Sequence, residues 1–200
     1  MIARLNALLR RLPPGAVYLL GLLPLGWIVW LTLSGGIGVD PVKGIEHRLG
    51  KVGLWFLVGG LAITPALRLT RLNLIRYRRA VGLLAFFYIA LHLVAWVWLD
   101  MGLLWRQAAT DLLKRPYLVL GISAFGLLLP LALTSNDASV RRLRGTWRRL
   151  HRLVYPAVLL GVGHYLWQMK VISVEGWSWA AAAGVLLALR FPWFRLASRG

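Results

Sequence analysis

Along the chain, apolar residues gather into long runs separated by short polar segments. Six runs have the length that a membrane-spanning helix needs, since a hydrocarbon core about 30 Å thick takes roughly 20 helical residues. They cover residues 16–33, 49–67, 80–99, 117–134, 150–169 and 177–194. Lys51 and Arg190 fall inside the second and sixth runs but near their ends, where a long cation can reach the headgroups. The pattern predicts an all-α polytopic membrane helix bundle: a tail over 1–15, a six-helix transmembrane domain over 16–194 and a tail over 195–200. Connecting segments this short leave no room for a separate soluble domain that binds NADH, ATP or a macromolecular substrate. The basic stretch Arg4, Arg10 and Arg11 before Pro13-Pro14-Gly15 looks like the head of a signal peptide. No small-residue cleavage site follows the first run, however, and that run is long enough to span, so it is expected to stay as a helix. Trp and Tyr cluster near the ends of the runs, as interfacial belts do.

Composition supports the same class. Of the 200 residues 59% are hydrophobic and only 15% charged, with a mean hydropathy of +0.68, which excludes a water-soluble globule. The chain carries 24 Lys plus Arg against 6 Asp plus Glu, a net charge of +18. In a soluble protein that imbalance would point to nucleic acid. Sorted by segment, 17 of the 24 cations fall in the N-terminal tail, the second and fourth connections and the C-terminal end, and 7 on the opposite side. That alternation is the positive-inside signature, so both termini are expected to be cytoplasmic. The basicity then faces lipid headgroups and argues for no nucleic-acid partner. Cysteine is absent, which excludes disulfides, iron–sulfur clusters and Cys-ligated zinc. Four histidines are the only side chains left that commonly bind a transition metal.

Topology gives each histidine a depth. His92 lies roughly 18 Å along the third span at about 1.5 Å per residue, and His164 lies 13 residues beyond His151, roughly 20 Å deeper into the fifth. His92 and His164 therefore reach similar levels in the periplasm-facing half. Two histidines at one level on different helices can supply opposite axial ligands to an iron porphyrin, and Gly161 and Gly163 beside His164 leave room for a macrocycle. The competing reading is a helix–helix hydrogen bond. His151, at the cytoplasmic entrance, is turned roughly 140° from His164 on a straight helix unless Pro156 kinks it; headgroup contact among Arg148, Arg149 and Arg152 is its alternative role. His47 belongs to the first external loop or to the mouth of the second helix.

Several separated motifs carry a resemblance. Gly145-Thr146-Trp147-Arg148-Arg149-Leu150-His151-Arg152-Leu153-Val154-Tyr155 leads to His164-Tyr165, and Arg78-Arg79-Ala80-Val81-Gly82-Leu83 leads to Tyr88 and His92. With Thr64-Pro65 and Thr134-Ser135-Asn136-Asp137, they resemble the MsrQ (YedZ) family of the ferric-reductase-like transmembrane group, over nearly the whole chain. The resemblance implies a haem b-binding electron-transfer subunit, also described as using FMN. Such a subunit takes electrons from the quinone pool to a periplasmic molybdopterin partner of the MsrP type, which reduces methionine sulfoxide in oxidised proteins. It implies His92 and His164 as haem ligands and His151 as a candidate ligand of a second haem. Where the wider group has an inner histidine on the third helix, this chain has Arg78 and Arg79, suited to a propionate or phosphate rather than to iron. Arg78, Arg79 and Arg148 are accordingly the candidates for holding such an anion. The wider group's flavin and NADPH domain is missing, which favours quinol or a separate reductase as donor. A ferric reductase acting on metal ions, and a non-redox membrane protein whose histidines relay protons, are the rival readings.

Overall fold

The computed structural model describes residues 2–190, which form helices and contain no strand among the described residues. Among the described residues ten α-helices follow one another: α1 Ile2–Arg11, α2 Pro14–Gly21, α3 Leu23–Leu33, α4 Pro41–Thr70, α5 Arg78–Ala95, α6 Trp105–Lys114, α7 Pro116–Leu133, α8 Asp137–Leu150, α9 Val154–Trp167 and α10 Val174–Ala188. Four stretches are long and apolar enough to cross a membrane: Pro14–Leu33, Pro41–Thr70, Ile75–Asp100 and Pro116–Leu133. The fifth and sixth expected spans correspond to shorter helices. α9 has 14 residues and is preceded by a 3₁₀ turn over His151–Leu153, and α10 has 15. The last part of the sixth run, 191–194, and the expected tail 195–200 lie outside the described residues.

Helix boundaries follow from local chemistry. Asp40 caps α4 by accepting from the Lys43 backbone N–H at 3.1 Å, with Pro41 in the first turn where its missing N–H removes nothing. Asn136 and Ser173 cap α8 and α10 in the same way. α4 ends at Arg71, whose φ of 59° is left-handed. It begins well before the apolar run that announced it, and its 30 residues span about 45 Å, more than the hydrocarbon thickness.

α4 packs along α5 and α7 along α9, and the two pairs meet through α5 with α7 and α4 with α9. The core at their junction holds Leu54, Leu57, Val58 and Leu61 of α4 with Ala85, Leu128, Ala157, Val158 and Val162. Small residues permit close approach: a Cβ on Gly53 would stand 2.7 Å from Ile89 Cγ1. The amphipathic α1 docks on the loop after α4. Asn6 donates to the Arg71 carbonyl and accepts from the Asn73 N–H, both at 2.9 Å, and the buried Tyr77 hydroxyl donates to the carbonyls of Leu9 and Leu12.

Two breaks in the helical ladder are repaired from a distance, as a medium without water demands. The first span is interrupted at Leu22, between α2 and α3. There the fully buried Tyr88 of α5 inserts its hydroxyl, donating to the Gly21 carbonyl at 2.7 Å and accepting from the Leu25 N–H at 3.0 Å. It stands in for the direct Leu25-to-Gly21 bond of an unbroken helix. The second break is at Pro65 inside α4, which has no N–H to give the Leu61 carbonyl. Arg190, just beyond α10, donates to that carbonyl at 2.8 Å and reaches Thr64 Oγ1 at 3.3 Å and the Tyr155 hydroxyl at 3.2 Å. Instead of extending to the headgroups as the sequence pattern predicts, Arg190 turns inward, because the orphaned carbonyl is the stronger attraction.

Candidate functional site

His92 near the end of α5 and His164 in α9 stand side by side, their ring centroids 6.1 Å apart and their planes 66° to one another. Each ring is held in the same way by a neighbouring helix. His92 Nδ1 lies 2.8 Å from the Glu46 carbonyl of α4, and His164 Nδ1 lies 2.8 Å from the Tyr117 carbonyl of α7. A carbonyl oxygen only accepts, so each Nδ1 carries the proton, and each neutral ring keeps its lone pair on Nε2. Helical carbonyls are normally covered, because the side chain four residues on leans back over them. At both positions that residue is glycine: Gly50 follows Glu46 by four and Gly121 follows Tyr117 by four. The histidine rings occupy the space a side chain would need. A Cβ on Gly50 would be 3.0 Å from His92 Nδ1, and one on Gly121 would be 3.0 Å from His164 Nδ1 and Cε1.

Both rings line a cleft with about 570 Å³ of empty space including its mouth, walled by Leu54, Leu57, Ile89 and Leu128. Gly161 lines it as well, whereas Gly163 packs toward Leu120. Lys51 is the one Lys or Arg among its described lining residues, beside His47, and it is also paired with Glu175 at 2.9 Å. His47, expected in a loop or at a helix mouth, is a residue of α4. Two imidazoles with free Nε2 atoms on one apolar cleft are a donor set that suits the metal of a flat apolar macrocycle, and His92 and His164 would be the residues to hold it. Close by, α5 widens into a π-helical turn, Trp96–Asp100, and Lys43 ties it to α4 by bonding Asp100 at 2.7 Å and Glu46 at 3.3 Å.

A second cleft, with about 610 Å³ of empty space, shares Leu57 and Leu128 with the first and opens toward the other end of the bundle. His151 lines it, away from His92 and His164, and lies in the 3₁₀ turn, so the helical offset expected from a straight helix does not apply. Pro156 sits in the first turn of α9, where it removes no helical bond. The Trp147 ring stacks on His151 at 3.9 Å, and His151 Nε2 lies 3.1 Å from Thr134 Oγ1. The Thr134 hydroxyl already donates to the Pro130 carbonyl at 2.6 Å, so it accepts from Nε2–H, which is thereby occupied.

The three candidate arginines separate. Arg78 lines the second cleft; Arg79 is exposed and bonded to Asp137 at 2.6 Å; Arg148 is exposed on α8. The Arg79 guanidinium holds the Asp137 carboxyl below the usual carboxylate range. Charge is divided between the ends of the molecule: Asp40, Glu46, Asp100, Asp111 and Glu175 belong to the His92 end and Asp137 alone to the other. The sequence does not single out Gly50, Gly121 or the carbonyls of Glu46 and Tyr117 as partners of the histidines. The one available signal was a glycine on each of two other spans at the matched depth.

The family described as the ferric reductase like transmembrane component matches residues 49–162. Curated relatives extend further. A protein of Agrobacterium fabrum named protein-methionine-sulfoxide reductase heme-binding subunit MsrQ is 44% identical over 189 residues, covering 93% of this chain and 88% of its own. Proteins of the same name from Caulobacter vibrioides and Xanthomonas oryzae pv. oryzae are 48% identical over 158 residues and 45% identical over 174. They cover 78% and 86% of this chain and 75% and 79% of their own lengths. No solved structure matches the chain significantly.

Proposed function

Because the chain belongs to the MsrQ family of ferric-reductase-like membrane proteins, the haem-binding subunits of protein-methionine-sulfoxide reductase, we propose that it moves electrons through the membrane on a haem b held between His92 and His164. The observation that carries this reading is the paired arrangement itself: two rings 6.1 Å apart, each with Nδ1–H on a carbonyl and Nε2 left for a metal. A hydrogen bond on the far nitrogen fixes the tautomer and strengthens a histidine as a ligand. A bound haem supplies one-electron transfer at its iron. The chain's own contributions are orientation, dryness and charge. Gly50 and Gly121 admit the rings, the leucines and Ile89 exclude water, and Lys51 and His47 stand at the mouth to meet the haem carboxylates.

The direction of transfer is part of the proposal. With six spans and both termini in the cytoplasm of a bacterial inner membrane, the strongly basic end faces inward and His92 and His164 lie toward the periplasm. Electrons enter at the cytoplasmic half from quinol, with FMN as a second cofactor whose phosphate meets Arg78, Arg79 and Arg148. They leave to a periplasmic molybdoenzyme of the MsrP type that reduces methionine sulfoxide. His151 is a secondary candidate as ligand of a further haem, one that needs its Nε2–Thr134 bond to open or Nδ1 to serve.

Reduced-minus-oxidised spectra of purified protein test the central claim. Wild type should show a b-type Soret and α band, and His92→Ala and His164→Ala should each lose it. Wild-type haem content in both variants would remove the assignment.

A further inference from the structure

The π turn that ends α5 changes which way Asp100 points. His92 precedes Asp100 by eight residues, which on an unbroken α-helix sets their side chains about 80° apart. A π turn takes in one extra residue, and here the Met101 N–H donates to the Trp96 carbonyl five residues back at 2.9 Å. The eight residues then wind like seven, about two full turns, and Asp100 returns to within about 20° of the His92 direction. Both side chains accordingly meet α4. Asp100 takes Lys43 Nζ at 2.7 Å, and Lys43 also bonds the Glu46 carboxylate at 3.3 Å. The carbonyl of that same Glu46 accepts from His92 Nδ1–H at 2.8 Å. The cluster also carries a net charge. Glu46 is the one charged residue in the buried core among the described residues, and two carboxylates share the single ammonium of Lys43. Arg115 does not cancel the excess, because Asp111 takes it at 3.6 Å. One negative charge therefore remains beside the backbone that anchors His92, where weak solvation extends its reach.

We propose that Asp100 is a positioning residue for His92. Through Lys43 and Glu46 it fixes the carbonyl that takes His92 Nδ1–H, and the surplus negative charge of the cluster favours the oxidised, more positive state of an iron held at Nε2. For the iron this rests on the haem reading above; for His92 it rests on the hydrogen-bond geometry alone. A hydrogen bond behind a ligating histidine raises its basicity as a ligand. A fixed negative charge in surroundings of low dielectric constant opposes the arrival of an electron.

The full chain in nanodiscs provides the test in two forms. Loaded with haem, wild type, Asp100→Asn, Asp100→Glu and Asp137→Asn are titrated spectroelectrochemically. Without haem, the same proteins carrying isotope-labelled histidine report the His92 Nδ1–H proton by NMR, assigned through its loss in His92→Gln. Asp100→Asn keeps the shape of the side chain and removes its charge. At the wild-type midpoint potential it should hold about threefold more ferrous than ferric iron, and its His92 proton should move upfield as the bond to Glu46 weakens. Asp100→Glu keeps the charge and should restore both readings, which guards against a general loss of structure. Asp137→Asn, which alters an exposed acid at the other end of the bundle, should change neither. A His92 proton that stays at its wild-type position in Asp100→Asn overturns the proposal whether or not iron is present. So does a midpoint that moves no further in Asp100→Asn than in Asp137→Asn. A wild type that takes up no haem refutes the reading of the site, and the proton then decides the role of Asp100 by itself.

Discussion

Gly121→Ala isolates the contact on which the histidine geometry depends. The added methyl would stand 3.0 Å from His164 Nδ1 and Cε1 and 3.3 Å from Cγ, inside the ~3.5–4.0 Å at which such atoms rest. The ring must retreat by about half an ångström, and its Nδ1 bond to the Tyr117 carbonyl, 2.8 Å long, stretches toward the limit of a useful hydrogen bond. Losing that bond costs about 1 kcal/mol, and overpacking adds about 1–3 kcal/mol. Loss of a hydrogen bond behind a metal-ligating histidine weakens metal binding roughly 10–100-fold. Haem titration of apo-protein should therefore give an affinity lower by about that factor, with an altered Soret maximum and low-spin electron paramagnetic resonance signal. Gly50→Ala, whose Cβ would meet His92 at 3.0 Å, should behave alike. Gly126→Ala is the control: it lies on the same helix as Gly121 with nothing within 4 Å of its Cβ, and should bind haem normally with slightly raised stability. Wild-type affinity and spectra in Gly121→Ala would show that the glycine–carbonyl arrangement does not govern the ligand.

Other expectations follow from the same bonds. Tyr88→Phe leaves the Gly21 carbonyl and Leu25 N–H unpaired where the first span breaks, so Tm in detergent should drop by an amount corresponding to about 1–3 kcal/mol; an unchanged Tm would mean that the two groups pair directly. Arg190→Gln should destabilise the wild-type background by about 1–2 kcal/mol more than a Pro65→Ala background, where the substituted alanine regains an N–H for the Leu61 carbonyl. Equal effects in thermal unfolding would deny the coupling. Lys51→Met removes a cation from the mouth of the haem cleft, which relieves the oxidised iron more than the reduced one, so redox titration should find a lower midpoint potential.

The apolar runs made the helical membrane architecture legible, and spacing along them put His92 and His164 at one level before their contact was known. Run length was a poorer guide where charge and apolarity overlap: α4 starts at Pro41 because Asp40 caps it, although Lys43, Glu46, His47 and Arg48 conceal that start from a hydropathy scan. His151 was located by number but not by environment, since a 3₁₀ turn breaks the periodicity that an angular estimate assumes. Among the candidate arginines, nothing in the charge run distinguishes Arg78, which faces a cleft, from its neighbour Arg79, which pairs with Asp137. The backbone partners were hidden for a deeper reason. Every residue has a carbonyl, and only the packing of two helices decides which one a histidine finds.

The repeated histidine, glycine and carbonyl arrangement also bears on assembly. Each imidazole is oriented within its own helix pair, His92 by α4 and His164 by α7, and neither depends on the other pair for its tautomer. The molecule therefore comprises two half-sites, each complete when its pair has formed, and the order in which the ribosome delivers them is immaterial to the ligand geometry. A haem captured between them would act as a clasp. Because it binds only the closed bundle, its affinity becomes resistance of the two halves to separation, and apo-protein should come apart along the seam between the pairs before either pair unravels.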